Sequence, residues 1–159
     1  MGKVLIAYAS KSGTAKEAAE RLAGLLPVAD LVDLSTEAPA LEDYSAAIIG
    51  GGVRVGSVHK DTKRFIDAQS AKLEGLRCAY FITNCFIDEI DTIVGKMLPA
   101  NLKEKAVFAG SLGGRLDIDN LKGMDKAVAK LVSKAVGDGK PIASDLDEEA
   151  LKLLASKFA

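Results

Sequence analysis

Short apolar runs of strand length alternate along the chain with segments whose apolar residues recur at helical spacing, and this alternation constrains the fold more tightly than any single motif. The strand-like runs cover 3–9, 28–34, 46–51, 77–83 and 106–111, and helical patterns cover 14–26, 60–73, 88–99, 121–136 and 145–158. Val4-Leu5-Ile6-Ala7 is apolar at every position, as a strand covered on both faces must be. Ala15, Ala18, Ala19, Leu22, Leu25 and Leu26 form the stripe of the first helix; Ile90, Ile93, Val94, Met97 and Leu98 form the clearest later one. Asp145 and Glu148 stand at capping-box spacing ahead of the last helix. The repeated βα pattern predicts an α/β fold: a doubly wound, five-stranded parallel sheet with right-handed crossovers and helices on both faces. Ligands of such sheets bind at the carboxyl ends of the strands, beside the point where strand order reverses.

A chain of 159 residues without linker-like or low-complexity stretches is expected to form one domain, 1–159. Its 21 Lys and Arg residues nearly balance 22 Asp and Glu, so no electrostatic field favours nucleic acid or an acidic membrane, and a small-molecule partner is expected. The apolar runs fall well short of the ~20 residues of a transmembrane helix, and with no signal-peptide pattern the expected location is cytoplasmic. Cys78 and Cys85, taken as members of one strand, would lie ~23 Å apart and serve as separate reduced thiols.

The polar residues gather where strands end. Ser10-Lys11-Ser12-Gly13-Thr14 joins the first strand to the first helix. There the unpaired amides of the first helical turn, the positive end of the helix dipole and three hydroxyls can receive an anion; the plainer reading is that Ser and Thr only cap the helix. Gly50-Gly51-Gly52-Val53-Arg54-Val55-Gly56-Ser57-Val58-His59 follows the third strand, Thr83-Asn84-Cys85-Phe86 closes the fourth, and Ser111-Leu112-Gly113-Gly114-Arg115-Leu116 closes the fifth. Glycine in such loops lets main-chain amides approach a flat ligand closely.

At these residues the chain resembles flavodoxin-like FMN proteins, and more narrowly the flavodoxin-domain family that includes the bacterial flavodoxin-type protoporphyrinogen oxidase. Ser10, Gly13 and Ala19 match the general pattern of the phosphate loop, while Ala15 falls where that pattern places Thr, with Thr14 beside it. Gly50, Arg54 and Gly56, followed by His59, match the spacing of the loop after the third strand. The resemblance implies strand order 2-1-3-4-5, FMN as cofactor and a redox function, either as electron carrier or as small flavin oxidoreductase. It implies a cofactor site made of Ser10, Lys11, Ser12, Gly13, Thr14 and Ala15 around the phosphate. Gly52, Val53, Arg54, Val55, Gly56, Thr83, Asn84, Cys85, Phe86, Ser111, Gly113, Gly114 and Arg115 complete it around the rest.

Two departures from the family bear on the ring. The chain has no Trp, and Val55 stands where the oxidase relative carries an aromatic residue. Phe86 is then either a cover for one ring face or a loop anchor. The net charge of −1 also lacks the acidic field with which typical flavodoxins dock basic partners. Arg54 would place positive charge near the flavin N1–C2=O edge, or pair with a surface carboxylate; Arg115 is a second such candidate. His59 is a proton donor, a substrate contact or an ordinary surface histidine. Cys85 is a reactive thiol or a plain strand-end residue.

Other nucleotide-related functions lack their residues. Signalling receiver domains need acidic residues after the first strand and an Asp ending the third, where this chain has Tyr8-Ala9-Ser10 and Gly50-Gly51-Gly52. The P-loop and the Rossmann glycine fingerprint are both missing after the first strand. Asp88, Glu89 and Asp91 suit a helix dipole, and no metal site is expected. A flavin-free binding or regulatory domain that retains the fold stays open as the alternative.

Overall fold

The apolar runs become strands covered on both sides. The computed structural model describes residues 2–114, 134 and 145–158. Its strands are β1 (Lys3–Ala9), β2 (Ala29–Asp33), β3 (Tyr44–Arg54), β4 (Ser57–Val58), β5 (Arg77–Thr83) and β6 (Phe108–Ser111). Five of them pair in parallel in the order β2-β1-β3-β5-β6, and β4 pairs antiparallel with the end of β3. Without the short β4, this is the expected order 2-1-3-4-5.

Successive side chains leave a strand on opposite faces, so each apolar strand feeds two cores. On one face Ile6, Ile48 and Phe81 pack with Ala18 and Leu22 of α1 (Thr14–Leu25). On the other, Leu5, Ile49 and Tyr80 pack with Phe65 and Ile66 of α2 (Lys60–Ala68). This second face also receives α3 (Ser70–Glu74), α4 (Ile90–Met97) and α5 (Ala100–Lys105) through Leu73, Ile93 and Leu102. The first face is completed by Leu151 and Leu154 of α6 (Glu148–Ser156). Gly50 serves this packing, because a Cβ there would collide with the Phe81 ring.

The chain leaves β1 toward one face and β3 toward the other, which makes the β1/β3 border the switch point. Register keeps the strand ends level: Ala9 lies opposite Gly51, and Gly52 opposite Thr83.

Several boundaries differ from expectation. The helix expected over 60–73 breaks at Gln69 (φ −109°, ψ 12°) into α2 and α3. The one expected over 88–99 opens with a 3-10 turn at Ile87–Glu89 and ends at Met97; Pro99 then starts α5, which the pattern did not reveal. The last helix is capped by Asp147, whose carboxylate accepts from the Ala150 amide at 3.1 Å, while Asp145 accepts from the Leu146 amide at 2.7 Å. The capping-box reading of Asp145 is therefore corrected by two residues. The expected helix over 121–136 lies outside the described residues, Lys134 apart. Cys85 lies beyond the end of β5, and both cysteines are free.

Candidate functional site

The phosphate-type loop is built around an uncapped helix. Gly13 takes the left-handed conformation (φ 92°) and no side chain caps α1. The first helical bond runs from the Glu17 amide to the Gly13 carbonyl at 3.0 Å, so the amides of Thr14, Ala15 and Lys16 precede the ladder. Ser10 does not cap them; its Oγ accepts from the Gly13 amide at 2.9 Å and so shapes the turn. Ser12 and Thr14 hydroxyls lie 3.3 Å apart, in hydrogen-bond contact with each other. Lys11, Ser12 and Gly13 are exposed. A helix dipole, uncapped amides, hydroxyls bonded within the loop and a lysine in one turn fit a phosphate group.

Ala15 is the exception. It is fully buried within the core that α1 makes with the sheet, so its Cβ points into packing and not toward the loop's open side. It contributes a backbone amide only.

The loop after β3 is a hairpin, a feature the sequence reading missed. Arg54 pairs with Ser57 and Val53 with Val58, leaving Val55 and Gly56 as a two-residue turn with φ of 52° and 76°. Positive φ at both positions is a type I′ turn, which normally selects Asn-Gly, and Val at its first position hid the signal. The His59 amide donates to the Gly52 carbonyl at 2.9 Å and closes the hairpin. The His59 ring then caps α2, its Nδ1 accepting from the Asp61 amide at 3.1 Å. That bond gives His59 a structural task, and Asp61 Oδ2 lies 3.7 Å from the same ring nitrogen. Arg54 is half-buried at the end of β3.

The loops after β5 and β6 bind each other. Asn84, 6% exposed, donates through its amide nitrogen to the Phe86 carbonyl at 2.7 Å and accepts from Ser111 Oγ at 2.9 Å. Ser111 Oγ also accepts from the Gly113 amide at 3.0 Å. The Gly114 amide donates to the Asp145 carbonyl at 3.2 Å, and the Asn84 amide to the Gly113 carbonyl at 3.0 Å. Here glycine permits close approach of chain to chain. A Cβ on Gly113 would stand 2.6 Å from the Asp145 carbonyl oxygen, and one on Gly114 2.5 Å from that of Asn84. Burial pushes the Cys85 thiol above its ordinary pKa, which disfavours the nucleophilic thiolate.

Ser10 to Ala15, the Gly52–Gly56 stretch and Thr83 to Phe86 therefore lie at the carboxyl ends of the adjacent strands β1, β3 and β5. Ser111, Gly113 and Gly114 brace this arrangement from β6, and Arg115 lies outside the described residues. Sequence reasoning passed over Ile87, which is 47% exposed at the same edge. It also passed over a cavity of about 320 Å³ between Asn84, Ile87, Ser111 and the Asp145–Asp147 approach to α6, whose walls come from segments distant in sequence. Among the described residues no cluster of His, Cys, Asp or Glu could hold a metal ion, and no helix is long and apolar enough to cross a membrane.

Comparison with known proteins bears on the family and the fold. The family model described as "Flavodoxin domain" matches residues 5–141. The chain belongs to the flavodoxin domain family. Its fold is similar to that of a Fusobacterium nucleatum flavodoxin bound to flavin mononucleotide, at TM-score 0.56 and 13% identity over 99% of this chain and 92% of that one. Oxidised flavodoxin 2 from Bacillus cereus matches at TM-score 0.56 and 22% identity over 85% and 96% of the two chains. Rubredoxin oxygen:oxidoreductase from Desulfovibrio gigas matches at TM-score 0.56 and 14% identity over 87% of this chain, which spans only 37% of that longer protein. No curated protein sequence matches the chain.

Proposed function

We propose that this flavodoxin domain is an FMN-binding redox protein, a single domain over 1–159 that works in the cytoplasm with separate electron donors and acceptors or a small-molecule substrate. The observation that carries the reading is the uncapped amino end of α1 at the β1/β3 switch point, ringed by Ser10, Ser12 and Thr14. The amides of Thr14, Ala15 and Lys16 would hold the terminal phosphate, the Ser12 and Thr14 hydroxyls would donate to it, and Lys11 would add charge. The hairpin from Gly52 to Val58 and the Thr83 to Phe86 loop would border the ring, with the Arg54 guanidinium near its N1 edge. FMN, when bound, supplies one- and two-electron transfer; the chain supplies binding, orientation and charge.

Titration of the purified protein with FMN, followed by its visible spectrum and by ultrafiltration, tests the reading. A yellow protein that retains FMN at one per chain supports it. The second reading, a flavin-free domain that keeps the fold, is favoured by one observation: Ala15 is buried where the family carries Thr. Colourless protein that takes up no FMN establishes that alternative.

The narrower assignment to the protoporphyrinogen-oxidase type rests on the spacing of Gly50, Arg54 and Gly56 alone. Stopped-flow reduction of the FMN form, with a porphyrinogen among the donors and quinones among the acceptors, separates an oxidase from a carrier.

A further inference from the structure

Edge strand β2 leaves backbone groups unpaired. It pairs with β1 alone among the described strands, and bonds at its two ends show which of its residues face inward: the Val4 amide donates to the Val28 carbonyl at 3.2 Å, and the Leu34 amide to the Tyr8 carbonyl at 2.7 Å. Alternate residues of a parallel strand bond to the neighbour, so Asp30 and Val32 face β1, while Ala29 and Leu31 turn their amides and carbonyls away from it. Such a row is a template for another strand.

Three of the six large apolar side chains exposed among the described residues fall within 25–31: Leu25 at 47%, Val28 at 53% and Leu31 at 39%. Leu31 shares its face of the strand with Ala29, which packs against the core beneath α1. Leu25 ends that helix and Val28 leads into the strand, so all three belong to the connection from α1 into the open edge.

The same stretch is acidic. Residues 22–53 include Asp30, Asp33, Glu37, Glu42 and Asp43 and no Lys or Arg, so a chain of net charge −1 is acidic here and basic elsewhere. Lys3 and Lys72 pair with Asp30 and Glu42, but Asp33, Glu37 and Asp43 have no ion pair among the described residues. The Tyr44 hydroxyl is pushed up to about 12 by burial first, then by its bond to Asp30 and the charges of Asp30, Asp43 and Glu37, which puts these three carboxylates around one point beside the strand.

These features select an occupant. A second copy paired edge to edge would set two acidic strands against each other, and like charges across a strand pair destabilise it. We propose that the outer edge of β2 is a docking surface for an extended, lysine- or arginine-bearing segment of a partner protein, which joins the sheet as a further strand. Main-chain bonds to Ala29 and Leu31 and apolar contact with Leu31 hold the segment, and the acids of 30–43 select its charge. The edge lies beyond β1 from β3, so an added strand leaves the β1/β3 border open.

The probe is a short peptide alternating lysine with valine, set against one alternating glutamate with valine. Binding is read by anisotropy of the labelled peptide, strand addition by hydrogen exchange of the Ala29 and Leu31 amides, and self-association by sedimentation. The lysine peptide is expected to slow exchange of those two amides about tenfold or more at saturation, and the glutamate peptide to leave them unchanged. Leu31→Lys should weaken the lysine peptide about tenfold, and Glu37→Gln with Asp43→Asn about threefold to fivefold, with the loss shrinking as salt rises. Both substitutions are exposed, so melting should shift by less than about 2 °C. The proposal is overturned if the lysine peptide leaves the Ala29 and Leu31 amides unprotected, if the two peptides bind equally, or if Leu31→Lys binds like wild type. Dimerisation that protects the same amides without peptide assigns the edge to a second copy and overturns it as well.

Discussion

Two loops at the strand ends carry glycine in the same left-handed conformation and use it in opposite ways. At Gly13 (φ 92°) a Cβ would meet nothing within 4 Å, and the helix amides beside it are left uncapped. At Gly113 (φ 86°) a Cβ would strike the backbone of Asp145, and the amides of Gly113 and Gly114 are bonded within the protein. One loop is open for a ligand; the other is closed on its own chain. The difference is set by what packs opposite. Nothing described stands over Gly13, while the segment leading to α6 lies directly on Gly113.

The largest expected effect separates the two on stability. Gly114→Ala drives a Cβ against the Asn84 carbonyl, so it should cost about 3 kcal/mol or more in urea unfolding. Gly13→Ala meets no steric partner and should cost only the left-handed conformation, about 1–2 kcal/mol. Equal costs would break the distinction.

The converse test reads ligand binding. Ser12→Ala with Thr14→Ala should leave folding nearly unchanged and weaken FMN by about 1–3 kcal/mol, measured calorimetrically, because charge-assisted hydrogen bonds to phosphate are lost. Unchanged affinity would reduce these hydroxyls to ornaments of the turn.

Ala15→Thr sharpens the same contrast from inside. The family pattern alone suggests that restoring Thr would tighten FMN binding. The buried Cβ points the other way: the added atoms overpack α1 against the sheet and should lower stability by about 1–3 kcal/mol without improving affinity. Tighter binding with an intact melting temperature would show that the side chain can turn toward the loop.

The smallest effect is electrostatic. Arg54→Gln removes a positive charge expected near the ring edge where negative charge accumulates on reduction. Reduction then becomes harder, and the midpoint potential should fall by roughly 30 mV, about 1.4 kcal/mol for a two-electron couple. The shift should shrink with added salt to the extent that Arg54 is exposed. An unchanged potential at low salt places Arg54 away from the flavin.

How much of this was legible in the sequence follows from the range of the interactions involved. The parallel sheet and its two cores were readable because β1, β3 and β5 are apolar at nearly every position and helices alternate with them, whereas the strand order came with the resemblance carried by the loops. The open loop was readable too, since Ser10 to Thr14 act within one helical turn. The closed loop was not. Gly113 and Gly114 look like ligand-approach glycines, and their real partners, Asn84 and Asp145, are about thirty residues away on either side. The β3–β4 hairpin escaped notice because Val55 occupies a turn position that Asn or Gly usually signals. Helix α5 was hidden behind Pro99, which ends one helical pattern and starts the next.

The central claim is that the open loop is a phosphate site serving a flavin. The measurement that tests it most directly is the ratio of FMN to riboflavin affinity in wild type and in the Ser12→Ala, Thr14→Ala double variant, by fluorescence titration in phosphate-free buffer. The account predicts that wild type prefers FMN by at least about tenfold and that most of this preference disappears in the variant. Equal affinities in wild type, or a preference that survives the double substitution intact, would contradict it.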